Sequence, residues 1–463
     1  MGLLPACGED PAGTDGGDAS GGTTNATSTP DPSRGTSGQT GSDADGSGSA
    51  AATTEMGTTT EAAESSEGSS GTMLDEPVDD VIARMEPNSW VALPSTEMSQ
   101  ICPLPYNAGD CRAVVGAWSG ATYDQGRDRM IVWGGGHADS YYNNVFVFEL
   151  GPMQWDRLTE LPEGADGAEP TAAMMDIRLE TCGYYPSVET LTIDPADVVN
   201  GYLDPAVCHR ADIEAQLDLQ QPRSSHTYGK PVYMPNQDAM FYLGGGYFPS
   251  AQSTSPWGFS YSFATGLWSE SAPRPAGLMG RGQAATDAAG DVWYATDAGG
   301  PLVRYRPADD AWDTFGPLNY DLRGVGDIDR VRNDFWILQN DTQDVPLRRI
   351  DLDDQALINS DDPYEDIPLT GDSPPGGTKV GFVYADGLDR MVAWVEGPDV
   401  YFLDPQTQAW THFVGSGDAP TVPQTNGTFG RWRYSDTRRV FVLVNHVDEA
   451  VYLYKPPTRL GSR

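Results

Sequence analysis

The feature that most constrains this chain is a unit that recurs along most of its length. "GATYDQGRDRMIVWGGG" (120–136) reads as a strand, a polar turn and an apolar strand ending in glycines; "VFVFEL" (145–150) and "QWDRLTE" (154–160) follow as two more strands. The unit returns within 226–272, 283–316, 324–357, 381–414 and 431–457, each time as short alternating or apolar runs bounded by Asp, Gly and Pro turns. Units begin near residues 118, 226, 281, 323, 379 and 431, so beyond a long first interval the spacing is about 42–56 residues. That is the length of one four-stranded propeller blade. The expectation is an all-β chain, a β-propeller of six four-stranded blades.

The sixth unit stops after "VYLYKPP" without a tryptophan-bearing fourth strand. "NSWVALPST" (88–96) supplies that strand from the other end, so an N-terminal strand is expected to close the ring. Closure leaves only short, protected sheet edges. Residues 160–222 read as a partly helical, disulfide-pinned insertion between blades 1 and 2; a seventh blade would have to hide there.

The order strand, turn, strand, paired glycines, strand, turn, Trp resembles the kelch repeat, as in the central domain of galactose oxidase. The resemblance covers roughly residues 87–457 and is most specific in blades 1, 2 and 5. It implies a kelch-type propeller over 81–463 whose b–c loops and inter-blade connections share one face. It also invites a copper test. The galactose oxidase site needs two histidines, two tyrosines and a Tyr-linked cysteine, and every cysteine here is assigned outside the blades. No cofactor is therefore expected, and a metal on His137 and His226 is only a minor alternative.

Residues 1–80 have a different composition. They hold 15 acids against one base, Arg34, and are built of Gly, Ser, Thr and Ala. Such a segment cannot bury enough apolar surface to offset its ordering entropy, so it reads as a disordered acidic tether. Its "LLPACG" resembles a bacterial lipobox with Cys7 as the lipidated residue; the basic and apolar regions of a signal peptide are missing before it, so either the natural start lies further upstream or the match is chance. The other four cysteines are expected to pair as Cys102–Cys111 and Cys182–Cys208, in an oxidising compartment. Localisation is then the bacterial outer membrane, periplasm or cell surface, with membrane contact only through the lipid. The net charge of −39 opposes nucleic-acid binding.

The candidate site is expected on the loop-bearing face. There "GGGHADSYYNN" brings His137, Asp139, Tyr141 and Asn143, and "PRSSHTYG" brings Arg223 and His226. Each inner strand from the second blade to the sixth begins near a base: Arg223, Arg281, Arg323, Lys379 and Arg431. Converging on one channel mouth, these would suit an anionic or polyhydroxyl ligand. The same bases can equally pair with neighbouring carboxylates, and His226 can simply bond backbone. The leading expectation is a monomeric lipoprotein that recognises a protein or carbohydrate partner without catalysis. The alternative is an isomerase, hydrolase or oxidase acting on a sugar or sugar acid in the channel mouth.

Overall fold

The computed structural model describes residues 76–102, 111–136, 140–160, 171–247, 249, 255–276, 278, 282–296, 300–318, 324–339, 347–375 and 380–460. The expected tether, apart from its last five residues, and Cys7 lie outside that set. Val78–Asp80, at the tether's end, already belong to a short helix, Val78–Arg84, because Val78 is buried and Asp79 pairs with Arg438 at 2.9 Å.

Six antiparallel four-stranded sheets form the blades, with strands a to d running from the innermost outward, in chain order in blades 1 to 5. Their a strands are Ala121–Asp124, Val232–Met234, Gly282–Thr286, Gly324–Asp329, Gly381–Ala385 and Trp432–Ser435. These six contact one another in sequence, and the sixth contacts the first, which closes the ring around an axis. As expected, Ser89–Leu93 is the outer strand of blade 6, antiparallel to Val451–Lys455 from Ser89↔Lys455 to Leu93↔Val451. Two-residue strands, Thr370–Gly371 and Ser416–Gly417, add in parallel to the outer edges of blades 5 and 6. They cover edge groups that would otherwise invite pairing with another chain.

The recurrent tryptophan of strand d ties blades 1, 3 and 6 to their predecessors. Trp155 Nε1 donates to Thr96 O at 2.8 Å, Trp312 to Ala272 O at 2.9 Å and Trp90 to Pro398 O at 3.3 Å. Trp90 also packs on Trp432 and Tyr454, with ring centroids 5.7 and 4.8 Å away. A large amphipathic ring thus fills the inter-blade wedge while its N–H finds a carbonyl.

The a–b turns carry a second repeat. Tyr123, Tyr233 and Tyr384 each donate the hydroxyl to an aspartate five residues on, Asp128, Asp238 and Asp389, at 2.6, 2.9 and 2.8 Å. Those aspartates have φ of 55°, 48° and 53°, a left-handed conformation that Asp tolerates better than most residues. Side chains also join every adjacent pair of these turns. Arg438 pairs with Asp128, Arg127 grips Asp238 with two bonds of 2.6 Å, and Asn236 reaches Ala289 O at 3.1 Å. Arg330 reaches Thr286 O at 3.2 Å, Arg332 grips Asp389 at 2.6 and 2.8 Å, and Asp436 accepts from Gly387 N at 3.0 Å.

The insertion is an irregular excursion, as read from sequence. It contains a 3-10 turn Ile177–Cys182, a ladder between Tyr184–Pro186 and Leu217–Pro222, and a short helix Ala211–Glu214. Cys182–Cys208 pins it, and Cys102–Cys111 forms the other bridge. Among the described residues, no helix is long and apolar enough to cross a membrane.

Candidate functional site

On the loop-bearing face, five of the ten expected residues, His137, Asp139, Arg281, Arg323 and Lys379, lie outside the described residues. The other five are buried. Tyr141 stacks on Tyr142 at 5.6 Å and its carbonyl accepts from Tyr185 Oη at 3.0 Å. Asn143 Nδ2 donates to Pro222 O at 2.8 Å, and its carbonyl accepts Trp133 Nε1 at 2.8 Å. Both residues stitch the b–c connection of blade 1 to the end of the insertion. His226 is enclosed by Trp118 and Tyr228, ring centroids 4.7 and 5.8 Å away.

The two described bases do not form part of an open basic ring. Arg223 is fully buried, stacks over Tyr185 at 5.3 Å and donates to the carbonyls of Tyr184 (2.6 Å), Met174 (3.5 Å) and Asp176 (3.4 Å). Arg431, also fully buried, donates to Ser119 O at 3.0 Å, Val444 O at 2.7 Å, Asn445 O at 2.8 Å and Gly427 O. Burial lowers the pKa of both, to about 9 for Arg431. Each serves as a seam where strands converge and leave carbonyls unpaired. Basic residues at blade starts identified a scaffold position at these two sites, not a ligand ring.

A cavity formed by described residues lies on the opposite face, where the a–b turns surround the axis. It holds about 440 Å³ and draws its wall from all six blades. That volume falls in the range of small-molecule sites, roughly 300–1,000 Å³. Four tyrosines line it, Tyr123, Tyr233, Tyr384 and Tyr434, together with Asp287, Asp327, Arg330, Asp386 and Arg433.

An Arg–Asp network spans this end of the axis. Asp327, only 3% exposed at its side chain, accepts from Tyr384 N at 3.1 Å and from Arg330 Nη2 at 3.4 Å, and it faces Arg433 Nη1 at 3.6 Å. Arg433 also donates to Gly430 O and Ala121 O, both at 2.9 Å, so blades 4, 6 and 1 meet through it. Burial pulls its pKa down, Asp327 opposes that, and Arg330 adds to it. Arg330 reaches Asp386 at 2.9 Å. Burial alone would lower Arg330, but Asp327, Asp386 and Asp436 raise it on balance.

Asp386 differs from its neighbours in being open. Its side chain keeps 37% exposure, yet the concave wall around it pushes its carboxyl up to about 6, with Asp436 and Asp327 adding and Arg330 opposing. Tyr434 differs in another way. Arg439 stands where the turns of blades 1, 2 and 5 have aspartate, and among the described residues the buried Tyr434 hydroxyl has no hydrogen-bond partner.

None of these residues was singled out from sequence, although "YDQGRD", "YMPNQD", "YADGLD" and "YSDTRR" were available as an in-register signal. Among the described residues, no three His, Cys, Asp or Glu side chains are grouped to hold a metal ion.

The fold and the axial cavity define a six-bladed β-propeller. No protein-family model matches the chain, and no curated protein is similar to it. Two of the solved structures that match the chain are the following. One is a structural genomics protein of unknown function from Bacteroides thetaiotaomicron VPI-5482, at 9% identity and a TM-score of 0.41, covering 80% of this chain and 72% of that one. The other is XC5397 from Xanthomonas campestris, a gluconolactonase, also at 9% identity and a TM-score of 0.41, covering 81% of this chain and 99% of that one. Likeness at this level carries no functional argument.

Proposed function

We propose that this chain is a binding propeller: a surface or periplasmic lipoprotein that recognises a partner, protein or glycan, by seating one small polar group of it in the axial cavity on the a–b face. The observation that carries this reading is the cavity itself, about 440 Å³ and walled by residues of all six blades. The rigidity of its rim supports the reading too, because side chains lock each a–b turn to the next. A site built on strands that are held in this way is preorganised, and little ordering is lost on binding.

Recognition fits this wall better than catalysis. Among the described residues no histidine or cysteine lines the cavity, and its central carboxylate, Asp327, is shared between Arg330 and Arg433. A general base or nucleophile needs a free, polarised group beside the reacting atom, and Asp386 is the one lining carboxylate described above that is open enough to serve. The kelch character of the repeat, lipidation at Cys7 and residence at the cell envelope are part of the same proposal, with the acidic tether as the spacer.

The test is a thermal-shift panel of amines, neutral sugars and sugar acids on the propeller and on Ala288→Trp. Ala288 is exposed on a cavity-lining turn, so the indole would obstruct the mouth without disturbing the core. At least one class is expected to stabilise the parent protein and not the variant. Equal responses in both would place binding elsewhere. For the envelope reading, Cys7→Ser expressed from its natural start is expected to move the protein from the membrane to the soluble fraction; continued membrane association would refute it.

A further inference from the structure

Away from the axial cavity, one titratable cluster joins the insertion to the ring of blades. His209 follows Cys208, so the Cys182–Cys208 bridge fixes the backbone beside it. Its imidazole stands edge-on to Trp257, with ring centroids 4.6 Å apart. Nδ1 lies 3.1 Å from Glu214 Oε1, at the end of the insertion's short helix Ala211–Glu214. Nε2 lies 3.1 Å from Glu270 Oε2, at the end of Trp268–Glu270, the outer strand of blade 2. One imidazole carried by the insertion thus meets a carboxylate of its own lobe and a carboxylate of the propeller.

A neutral imidazole has a single N–H, so its bare nitrogen would face one of these carboxylates; only the imidazolium offers a proton to both. Other histidines are placed differently. His412 meets one carboxylate, Asp399, at 2.6 Å, and His446 meets the Gln424 amide and the Val422 carbonyl at 3.0 and 3.2 Å. Glu270 keeps only 18% side-chain exposure, so its charge is poorly hydrated and needs a cation nearby. Burial raises its carboxyl, His209 and the Tyr184 hydroxyl oppose that, and Glu214 adds to it as a like charge. Arg210, the next residue, is spent on Asp197 and Asp212, at 2.5 Å each.

We propose that His209 is a proton-operated latch: as an imidazolium it docks the insertion on blade 2 through Glu270, and loss of the proton releases that lobe. The device is separate from the axial cavity and does not depend on what binds there.

Among the described residues, the titratable groups facing the ring are Glu214 and Glu270, with Tyr184 beside Glu270; Trp257 brings no charge. The docked state holds the imidazolium proton better than the released one. Docking is therefore strongest in mild acid and weakens as pH rises through the range where histidine side chains titrate, about pH 5–8. With the ring neutral, Glu214 and Glu270 are left as like charges with no cation between them, which favours release. At still lower pH Glu270 takes up a proton, earlier than an open glutamate because burial raises its carboxyl, and the latch weakens again. His209 and Glu214 are partly open to water, which screens their attraction, so the effect is several-fold and not larger.

The experiment is amide hydrogen exchange on the full propeller at about pH 5.5 and about pH 8.0, each rate divided by the intrinsic rate at that pH, read over residues 205–216. Protection there is expected to fall about five-fold from the lower pH to the higher, while the strands of blades 3 to 5 keep theirs. His209→Arg, a cation at both pH values, should hold the protection at both, and His209→Gln should show the lower level at both. Titration of the His209 ring protons by NMR should place the fall in protection at the midpoint of ring deprotonation. Protection that does not change with pH in the parent protein overturns the proposal. So does protection retained by His209→Gln, or a fall whose midpoint departs from that of the ring. Circular dichroism checks that each variant folds; where one does not, the match between exchange and ring titration in the parent protein decides.

Discussion

Blade 6 departs from the tyrosine–aspartate repeat at one residue, and the departure gives a measurable energy. In blades 1, 2 and 5 the strand-a tyrosine bonds the left-handed aspartate of its own turn at 2.6–2.9 Å. In blade 6 that position is Arg439, with φ 56°, and the buried Tyr434 hydroxyl has no bond among the described residues. Arg439 itself is exposed, so it can be changed without opening the core. Arg439→Asp is expected to restore the missing acceptor. Leaving a buried hydroxyl unsatisfied costs about 1–3 kcal/mol, and Asp436 beside it will offset part of the recovery, so the net gain should be about 1 kcal/mol. Melting temperature is a poor gauge of this. Unfolding entropy of roughly 2.1 cal/mol/K per residue means that so small an energy moves the midpoint of so long a chain by only about 1 °C. Denaturant midpoints on a double-mutant cycle with Tyr434→Phe are the better assay. Arg439→Asp should stabilise the parent protein and give nothing in the Tyr434→Phe background. An equal gain in both backgrounds, or a loss in the parent protein, would refute the account of the repeat.

Three further outcomes are expected. Asp334 has 5% side-chain exposure, and burial, opposed by Arg349, holds its carboxyl at about 6 against the usual 3.8. The folded state therefore binds the extra proton, this group's contribution to stability falls as pH rises from about 4 to about 6, and Asp334→Asn should add about 2 kcal/mol at pH 7 and abolish that fall in the pH–stability curve. Trp90→Ala, which empties the wedge beside Trp432 and Tyr454 and frees Pro398 O, should cost about 3–5 kcal/mol in denaturant titrations; a cost below about 1 kcal/mol would mean that Ser89–Leu93 does not hold the ring closed. Cys182→Ser should raise protease cleavage within the insertion by loosening a loop of 26 residues while leaving the cutting pattern of the blades unchanged; cleavage spreading into blade 2 would show that the insertion supports the ring.

Much of the architecture was legible because it rests on local pattern. Strand alternation, the tryptophan of strand d and the missing fourth strand of blade 6 together specified the number of blades and the closure, as the Ser89–Leu93 pairing bears out. Both cysteine pairs followed from proximity in sequence. The site was less legible because residue type does not reveal what a side chain faces. Arg223 and Arg431 stand at blade starts as expected, but converging strands leave unpaired carbonyls there, and these take up the guanidinium donors. Conversely, Tyr123, Tyr233, Tyr384 and Tyr434 looked like ordinary strand residues. Three of them are tied to the left-handed turn that follows, whose signature is the spacing to Asp128, Asp238 and Asp389. Asp386 could not be distinguished in a chain of 67 acids without knowing that blades 4 and 6 bring Asp327 and Asp436 toward it.

The central claim is that ligand sits on the axis at the a–b face. A crystal structure of the propeller soaked with the strongest hit from the thermal-shift panel tests this directly. The expected result is ligand density in the axial cavity, among the a–b turns of the six blades. Density on the loop-bearing face, with the axial cavity holding only solvent, would contradict it.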